Sequence, residues 1–332
     1  MPQSYSLFRR IAIVLVAVQS LGLIAAAQSE ATLYRFTGAA DGGNPAAGLV
    51  ADPEGNLFGT TSNSETSGGG TIFELSYPTS GYTWTYKTLY SFTDTKLQGS
   101  KPLASLLRDS EGSVYGTTNA GGVANCGTIF KLGPPSIGQW AFHVLHSFQG
   151  RTDGCNPTAP LIMDASGNLY GTTYGGGGMC VPWSGCSLGV VFELSPPAIP
   201  GEAWTENVLY RFGSSGSIDG ACPQGGLVFG KNGWLYGTTV YSAGFSGIGT
   251  VFALAPPSVP GGTWTLHILY TFQGGPQGSS NPAAGVVFDA AGNLYGTTTD
   301  YQAVFGYYCS GGAPCGHVFE LRPPASGSGA WT

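Results

Sequence analysis

The 332-residue chain has few charged residues, and this scarcity excludes several classes of protein. Charged residues are 9% of the sequence, with 12 Lys and Arg against 18 Asp and Glu. No cluster of Lys and Arg occurs, whereas a nucleic-acid-binding protein needs one to neutralise phosphates. There are four histidines, and the Gly-x-Ser-x-Gly, His-Glu-x-x-His and phosphate-loop motifs of common catalytic sites are missing. We therefore predict no nucleic-acid partner and no catalytic residues.

Long apolar runs are also missing, except at the N-terminus. There, the run from Ile11 to Ile24 follows Arg9 and Arg10 and precedes the small residues "AAAQ". This layout is typical of a secretory signal, and we predict a signal peptide over residues 1–27. The alternative is a retained membrane anchor, but the run is shorter than the roughly 20 residues that a membrane span needs. We therefore expect a secreted or cell-surface protein with no membrane span after cleavage.

Repetition is the strongest feature of the sequence. The motif Gly-Asn-Leu-Tyr-Gly-Thr-Thr or a close variant occurs five times, with central glycines at Gly59, Gly116, Gly171, Gly237 and Gly296. Each copy lies in a unit of four short runs rich in Val, Ile, Tyr, Phe and Thr, which predict four β-strands. Tandem four-stranded units of this length are typical of a β-propeller. We predict an all-β fold, a single β-propeller domain over residues 28–332, with units of about 37–92, 93–148, 149–212, 213–272 and 273–332.

Between the first and second predicted strands stands Asp-x-x-Gly-Asn, at residues 52–56, 164–168 and 289–293. An Asp that bonds the backbone two residues on, followed by a Gly with positive φ, predicts a hairpin turn. The alternative, a calcium loop, would need alternating carboxylates and a terminal Glu, which these segments lack. The fourth copy, "GKNGWLYGTT", has no Asp. We predict turns here and no metal site.

These motifs carry a family resemblance. Asp-x-x-Gly-Asn-Leu-Tyr-Gly-Thr-Thr, then Gly-Thr-Val-Phe, then Trp-Thr-x-x-x-Leu-Tyr-x-Phe, resemble the GloVer (Gloeo/Verruco) tandem repeat, over essentially the whole chain after the signal. The resemblance implies an exported bacterial repeat scaffold with a cell-surface sorting segment, and it implies no catalytic residues. A weaker similarity, confined to Asp-x-x-Gly-Asn-Leu-Tyr, links the chain to NHL-type propeller repeats. Because Trp331 and Thr332 begin a fourth strand that residues 31–36 also supply, we expect a C-terminal truncation rather than a natural five-blade ring.

The two sides of the predicted propeller differ. Antiparallel strands reverse direction, so loops after the second and fourth strands lie on one side, the insertion face, and the other loops lie on the opposite side, the turn face. Loops of the insertion face vary in length and are longest at residues 174–188 and 299–315. Length variation on one face of a repeat protein indicates a binding face. The aromatic residues predicted to bind a ligand there are Tyr174, Trp183, Tyr241, Tyr307 and Tyr308; the alternative is that they pack beneath their own loops.

All seven cysteines fall on the insertion face. Cys180 with Cys186, and Cys309 with Cys315, repeat a C-x5-C spacing that predicts two local disulfides in an oxidising compartment. Cys126 and Cys155 lie in neighbouring loops and are predicted to form a third, and no pairing is predicted for Cys222. A zinc site is the alternative, but C-x5-C is wider than the usual spacing.

A second recurring phrase, such as "DGGNP" or "DGCNP", enters several units and places Asp41, Asp153 and Asp219 on the insertion face. These carboxylates are predicted ligand-binding residues that could hold a calcium ion or a polar ligand, or they form Asx turns before proline. Calcium is the one cofactor considered, and no cofactor is otherwise predicted.

Three functions stay open at this point. The first is an extracellular or cell-surface binding module for a glycan or a protein. The second is a propeller hydrolase or lyase acting on extracellular glycans or lactones, which would depend on Asp153 or Asp219. The third is a purely architectural envelope protein.

Overall fold

The computed structural model describes residues 30–332, apart from positions 94 and 260 and the segments 135–137, 179–187, 215–218, 243–248, 274–279, 300–315 and 325–328. Residues 1–35 form one unit and residues 36–332 another, and every strand lies in the second unit. The predicted signal peptide lies outside the described residues. No described helix is both long and apolar enough to cross a membrane.

Residues 36–332 form five antiparallel sheets, which we call blades, and within each blade the strands lie side by side in chain order. Short α1 (Thr95–Gln98) precedes blade 2, and a 3-10 turn (Lys231–Gly233) lies in blade 4. The strands are as follows: blade 1, β1 (Val50–Ala51), β2 (Leu57–Thr61), β3 (Thr71–Ser76) and β4 (Thr85–Ser91); blade 2, β5 (Leu107–Arg108), β6 (Val114–Thr118), β7 (Thr128–Gly133) and β8 (Ala141–Ser147); blade 3, β9 (Ile162–Met163), β10 (Leu169–Thr173), β11 (Val190–Ser195) and β12 (Thr205–Arg211); blade 4, β13 (Val228–Phe229), β14 (Leu235–Thr239), β15 (Thr250–Ala255) and β16 (Thr265–Thr271); blade 5, β17 (Val287–Phe288), β18 (Leu294–Thr299) and β19 (Gly316–Leu321).

This is the predicted all-β propeller with five blades. The first strand of each blade is only two residues long, and blade 5 has three described strands. After β19, Arg322 and Thr332 exchange two backbone hydrogen bonds, in the position where Ser76 pairs with Thr85 in blade 1. Trp331 and Thr332 therefore occupy the start of a fourth strand, as the repeat predicts.

The apolar core lies between blades rather than within them. Four clusters of buried residues each combine side chains from two consecutive blades. At the first junction, for example, Ile72 and Phe92 of blade 1 pack with Leu106 and Phe130 of blade 2. Both faces of a third strand are thus buried, and the same β-bulge recurs at the pairing of strands three and four in blades 1 to 4. Stacking of blades through shared cores is the packing that defines a propeller.

The glycine of the Gly-Thr-Thr motif is required by packing. At Gly171, an added Cβ would lie 2.6 Å from Cζ of Phe192 and 2.9 Å from Cδ2 of Leu161. In every blade the equivalent phenylalanine of the third strand lies over this glycine, for example Phe73 over Gly59. These glycines do not have positive φ, so the sequence keeps them because the aromatic ring fills the space of a side chain.

The two threonines of the motif have separate tasks. The first donates a hydrogen bond to a backbone carbonyl of the following blade, as from Thr238 Oγ1 to Ala284 O at 2.8 Å. The second joins β-strands within its own blade: Thr61 Oγ1 accepts from the backbone N–H of Thr71 and lies 2.8 Å from the Thr71 hydroxyl. The motif is therefore chiefly a building element of the scaffold.

Candidate functional site

The Asp-x-x-Gly-Asn segments are hairpin turns on the turn face. In the third blade, the Asp164 carboxylate accepts hydrogen bonds from the backbone N–H groups of Ser166 and Asn168 and from the Asn168 amide. Gly167 has a φ of 83°, as the turn requires. Within the described part of the chain, no group of three or more His, Cys, Asp or Glu side chains is placed to hold a metal ion. The bonds of Asp164 therefore belong to a turn.

The turn carboxylate has a second role that the sequence did not reveal. In blades 2, 3 and 5, the tyrosine before Gly-Thr-Thr donates its hydroxyl hydrogen to that carboxylate, as Tyr170 does to Asp164 at 3.1 Å. The same hydroxyl bonds to Glu193 of the neighbouring third strand at 3.1 Å. Tyr295 repeats this arrangement with Asp289 and Glu320. Burial, Glu193 and Asp164 raise the pKa of the Tyr170 hydroxyl far above its ordinary range.

Blade 4 departs from this pattern at three positions that lie close together. Gly230 stands where the other blades have the turn Asp, Trp234 stands in place of the Asn or Ser, and Ala253 replaces the Glu or Lys of the third strand. The tyrosine of the other blades is present here as Tyr236, but the Asp and Glu that bind its hydroxyl in blades 3 and 5 are both missing. Its ring lies over Gly230, where an added Cβ would be 2.3 Å from Cε2 of the ring. Burial alone raises the pKa of the Tyr236 hydroxyl.

One of these positions, Gly230, and the Tyr236 side chain line a pocket of about 400 Å³ between blades 4 and 5. Its aromatic lining consists of Phe229, Tyr236, Phe288 and Trp331. The Tyr236 ring meets Phe288 edge to face at a centroid distance of 4.9 Å and lies 6.3 Å from the Trp331 ring. A volume of this size lies within the range of small-molecule sites, which are concave, mostly apolar and fitted with a few polar groups.

The polar groups of the pocket are Lys231, the Tyr236 hydroxyl and the turn of blade 5 that begins at Asp289. Lys231 is exposed. Hydrogen bonds from the Asn293 backbone and amide and from Tyr295 hold the pKa of Asp289 below its ordinary value, so the carboxylate is charged at neutral pH. The pocket therefore combines flat aromatic surfaces with a cation, an anion and a hydroxyl.

The predicted carboxylates Asp41, Asp153 and Asp219 are buried and bind their own loops. Asp41 accepts from the backbone and hydroxyl of Thr37, and Asp153 accepts from the backbone of Gln149 and Gly150. The Asp219 carboxylate accepts from the Tyr210 hydroxyl at 2.9 Å. The three do not form a group that could hold a metal ion among the described residues, and each accepts from groups that precede it in the chain rather than from the backbone two residues on.

A polar cluster at the junction of blades 2 and 3 breaks the repeat. His146, in the position of Tyr210, lies 3.1 Å from Asp153 through its Nε2 atom. Glu206 stands where blade 4 has Leu266, and its Oε1 atom is buried with no hydrogen-bond partner among the described residues. Burial raises the pKa of Glu206 to about 7; His146 opposes this shift and Asp153 adds to it. Burial also opposes the ionisation of Asp153, but hydrogen bonds from His146 and the Gln149 backbone hold its pKa below the ordinary value.

The predicted aromatic residues are only partly covered by the structure. Tyr174 and Tyr241 are half-buried and pack against the cluster shared by blades 3 and 4. Trp183, Tyr307 and Tyr308 lie outside the described residues, and so do Cys180, Cys186, Cys309 and Cys315. Their roles remain predictions.

The described cysteines tie two blades together. A disulfide joins Cys126, in the loop between β6 and β7, to Cys155, in the loop that enters blade 3, with Cα atoms 4.4 Å apart. Cys222 is buried and has a φ of 55°. The corresponding positions in blades 1, 3 and 5 hold Asn44, Asn156 and Asn281, all with positive φ. Cys222 therefore occupies the place of the Asn in the Asn-Pro motif.

The five blades and the repeated motif make the protein a tandem-repeat β-propeller, and a disulfide links two of the blades. The chain belongs to the Gloeobacter/Verrucomicrobia repeat family, whose profile matches residues 22–198 and 136–308. The resemblance drawn from the sequence motifs is thereby confirmed.

Comparison with solved structures found distant likenesses to glycoside hydrolases. The chain is 11% identical to the RS223 β-xylosidase, with a TM-score of 0.40, and the match covers 86% of this chain and 93% of that one. A second match, at 11% identity and a TM-score of 0.40, covers 85% of this chain and 92% of CoXyl43, a GH43 β-xylosidase/α-arabinofuranosidase from a compost microbial metagenome, in complex with xylotriose. Likenesses at this level carry no argument about function. No curated protein matches the sequence.

Proposed function

We propose that the protein is an exported binding module and that it binds a glycan in the pocket between blades 4 and 5. The observation that carries this proposal is the coordinated loss of two carboxylates, at Gly230 and Ala253, around a tyrosine that those carboxylates bind in blades 3 and 5. Of the four blades that have the tyrosine, blade 4 is the one whose sequence holds neither carboxylate. The pocket replaces a turn-stabilising network with an open, aromatic-lined concavity.

The chemistry of the lining supports a sugar as the ligand. A sugar ring offers apolar C–H faces, which suit the flat rings of Trp331, Phe288 and Tyr236. Its hydroxyl rim requires donors and acceptors, and Lys231, the Tyr236 hydroxyl and Asp289 supply both. A few polar groups around apolar walls are the arrangement that orients small ligands.

Two features support export. The N-terminal sequence has the layout of a secretory signal. The disulfide between Cys126 and Cys155 suits an oxidising compartment. We therefore expect the ligand to be an extracellular glycan or protein.

The test begins with a glycan-array screen of the purified, oxidised protein, followed by calorimetric titration of any glycan that binds. Tyr236→Phe removes one hydroxyl from the pocket, and we expect a loss of affinity of about fivefold, the value of one hydrogen bond. Trp331→Ala removes a stacking surface, and we expect a loss of about 30-fold or more.

Tyr170→Phe is the matched control, because it removes the corresponding hydroxyl from blade 3, where Asp164 and Glu193 occupy the space. It should leave affinity unchanged. A sharper variant restores the repeat: Gly230→Asp with Ala253→Glu gives Tyr236 the two carboxylates that Tyr295 has. The Tyr236 ring must move to admit the new side chain at position 230, so the variant should lose binding, and circular dichroism verifies that it folds. If this double variant binds as tightly as the wild type, the pocket is not the binding site. If no glycan on the array binds the wild type, the glycan proposal is wrong and a protein ligand is tested next.

A further inference from the structure

The charge beside the pocket has the opposite sign to that of the equivalent positions in the other blades. These positions are the five residues of the turn and the third-strand residue that pairs with the position of Tyr236. Their net charge, from Asp, Glu and Lys, is −3 in blade 1, −1 in blade 2, −2 in blades 3 and 5, and +1 in blade 4. The reversal comes from the two missing carboxylates, at Gly230 and Ala253, and from Lys231, which stands where the other turns hold Pro, Ser or Ala.

The hydrogen-bond donors left by this reversal are available to a ligand. In blades 2, 3 and 5 the tyrosine hydroxyl donates to a carboxylate. No described residue accepts a hydrogen bond from the Tyr236 hydroxyl, and none forms an ion pair with Lys231. Because burial raises the pKa of the Tyr236 hydroxyl, this group remains a donor at neutral pH. Both side chains line the pocket.

The one carboxylate that lines the pocket among the described residues is engaged by its own blade. Oδ1 of Asp289 accepts from the backbone N–H of Asn293 at 2.8 Å. Its Oδ2 atom accepts from the Asn293 amide at 2.8 Å and from the Tyr295 hydroxyl at 3.3 Å. Three of its roughly four acceptor positions are thus taken. The charged group of the pocket that is free to take a ligand of opposite charge is therefore Lys231.

We propose that the glycan bound in this pocket is acidic, and that a carboxylate of the sugar, as in a uronic acid, is bound by Lys231 and the Tyr236 hydroxyl. The inference rests on the proposed function, since it names the chemical class of the same ligand. A carboxylate is the group that the equivalent tyrosine binds in three other blades, and Lys231 adds the opposite charge. The ligand thus supplies from outside the chain the kind of group that blade 4 has lost.

The experiment is calorimetric titration with matched pairs of oligosaccharides. Each pair consists of an oligomer of glucuronate, galacturonate or mannuronate and the same oligomer with its carboxyl groups reduced to hydroxymethyl groups. At least one uronate should bind about tenfold more tightly than its reduced counterpart, because hydrogen bonds to a charged group are about twice as strong as neutral ones. This preference should shrink in about 1 M NaCl, where charges more than about 3 Å apart are screened.

Two variants assign the preference to the pocket. Lys231→Gln keeps a polar side chain of similar length without the charge, and it should bring the affinities for the two members of a pair close together. Tyr236→Phe should weaken the uronate more than its reduced counterpart. Lys87→Gln is the matched control, because it removes the same charge from an exposed position of β4 that does not line the pocket. This control should keep the preference of the wild type.

The outcomes separate this inference from the proposed function. If a reduced oligomer binds as tightly as its uronate and Trp331→Ala weakens both, the pocket binds neutral glycans and the inference alone is wrong. The inference is also wrong if Lys231→Gln keeps the preference, or if a sulfated oligosaccharide binds and no uronate does. If no glycan of any kind binds, the inference and the proposed function are both wrong.

Discussion

Replacing Gly171 by alanine tests the explanation of the repeated Gly-Thr-Thr motif. The added Cβ would lie 2.6 Å from Cζ of Phe192, a ring with no exposed surface. Carbon atoms in contact prefer about 3.5–4.0 Å, so the ring or the strand must move by about 1 Å. Overpacking of this kind costs roughly 1–3 kcal/mol. Alanine also restricts the unfolded chain, which offsets about 0.4–1 kcal/mol.

The net expectation for Gly171→Ala is a loss of about 1–2 kcal/mol in the free energy of unfolding. The assay is urea unfolding followed by tryptophan fluorescence, with an unchanged slope on denaturant. Gly133→Ala is the matched control, because the nearest atom to its added Cβ is a backbone oxygen at 3.8 Å and blades 1, 3 and 4 hold Ser or Ala there. The control should be neutral or slightly stabilising. If Gly171→Ala behaves like the control, the packing explanation of the motif is wrong.

Two further changes test the junction of blades 2 and 3. Glu206→Leu should stabilise the protein at pH 8: the shift of its pKa from 4.5 to about 7 is worth ~3 kcal/mol at full value, and partial exposure reduces this to about 1–2 kcal/mol. Because the folded-state pKa of Glu206 is raised, the wild type loses stability as pH rises from about 4.5 to about 7. The gain from Glu206→Leu, measured by urea unfolding, should therefore be smaller at pH 5 than at pH 8. Equal gains at both pH values, or an equal gain from Glu202→Leu at an exposed position, would contradict the assignment. Cys126→Ser should cost about 3–4 kcal/mol, the chain-entropy value for a loop of this length, given the sequence separation of 29. Cys155→Ser removes the same bridge and should reproduce that loss, and an unchanged melting temperature would sink the prediction.

Periodicity and turn chemistry were sufficient to predict the blades and the Asp-x-x-Gly-Asn turns, because both depend on residues close together in the chain. The pairing of Cys126 with Cys155 was also accessible, since neighbouring loops of successive units lie close in any propeller. The sequence also showed that "GKNGWLYGTT" lacks the turn Asp. It did not show the consequence, because the second missing carboxylate is at Ala253, in a different strand.

The cluster of His146, Asp153 and Glu206 was missed for a related reason. In the sequence, His146 is a single replacement of the tyrosine found in the other fourth strands, and Glu206 is a single polar residue near the start of a strand. They meet because the fourth strands of successive blades face each other, which no local pattern reveals. The signal that could have found both sites is the departure of two or more positions from the repeat in the same blade or at the same junction.

The placement of the core between blades has an evolutionary consequence. Each of blades 2 to 4 carries one half of two different cores. Such a repeat, duplicated or deleted as a whole, therefore brings matching halves to both of its new neighbours. Unequal recombination between copies of the gene segment can then lengthen or shorten the array without any new contact having to arise. A family built in this way is expected to vary in blade number more readily than in blade sequence.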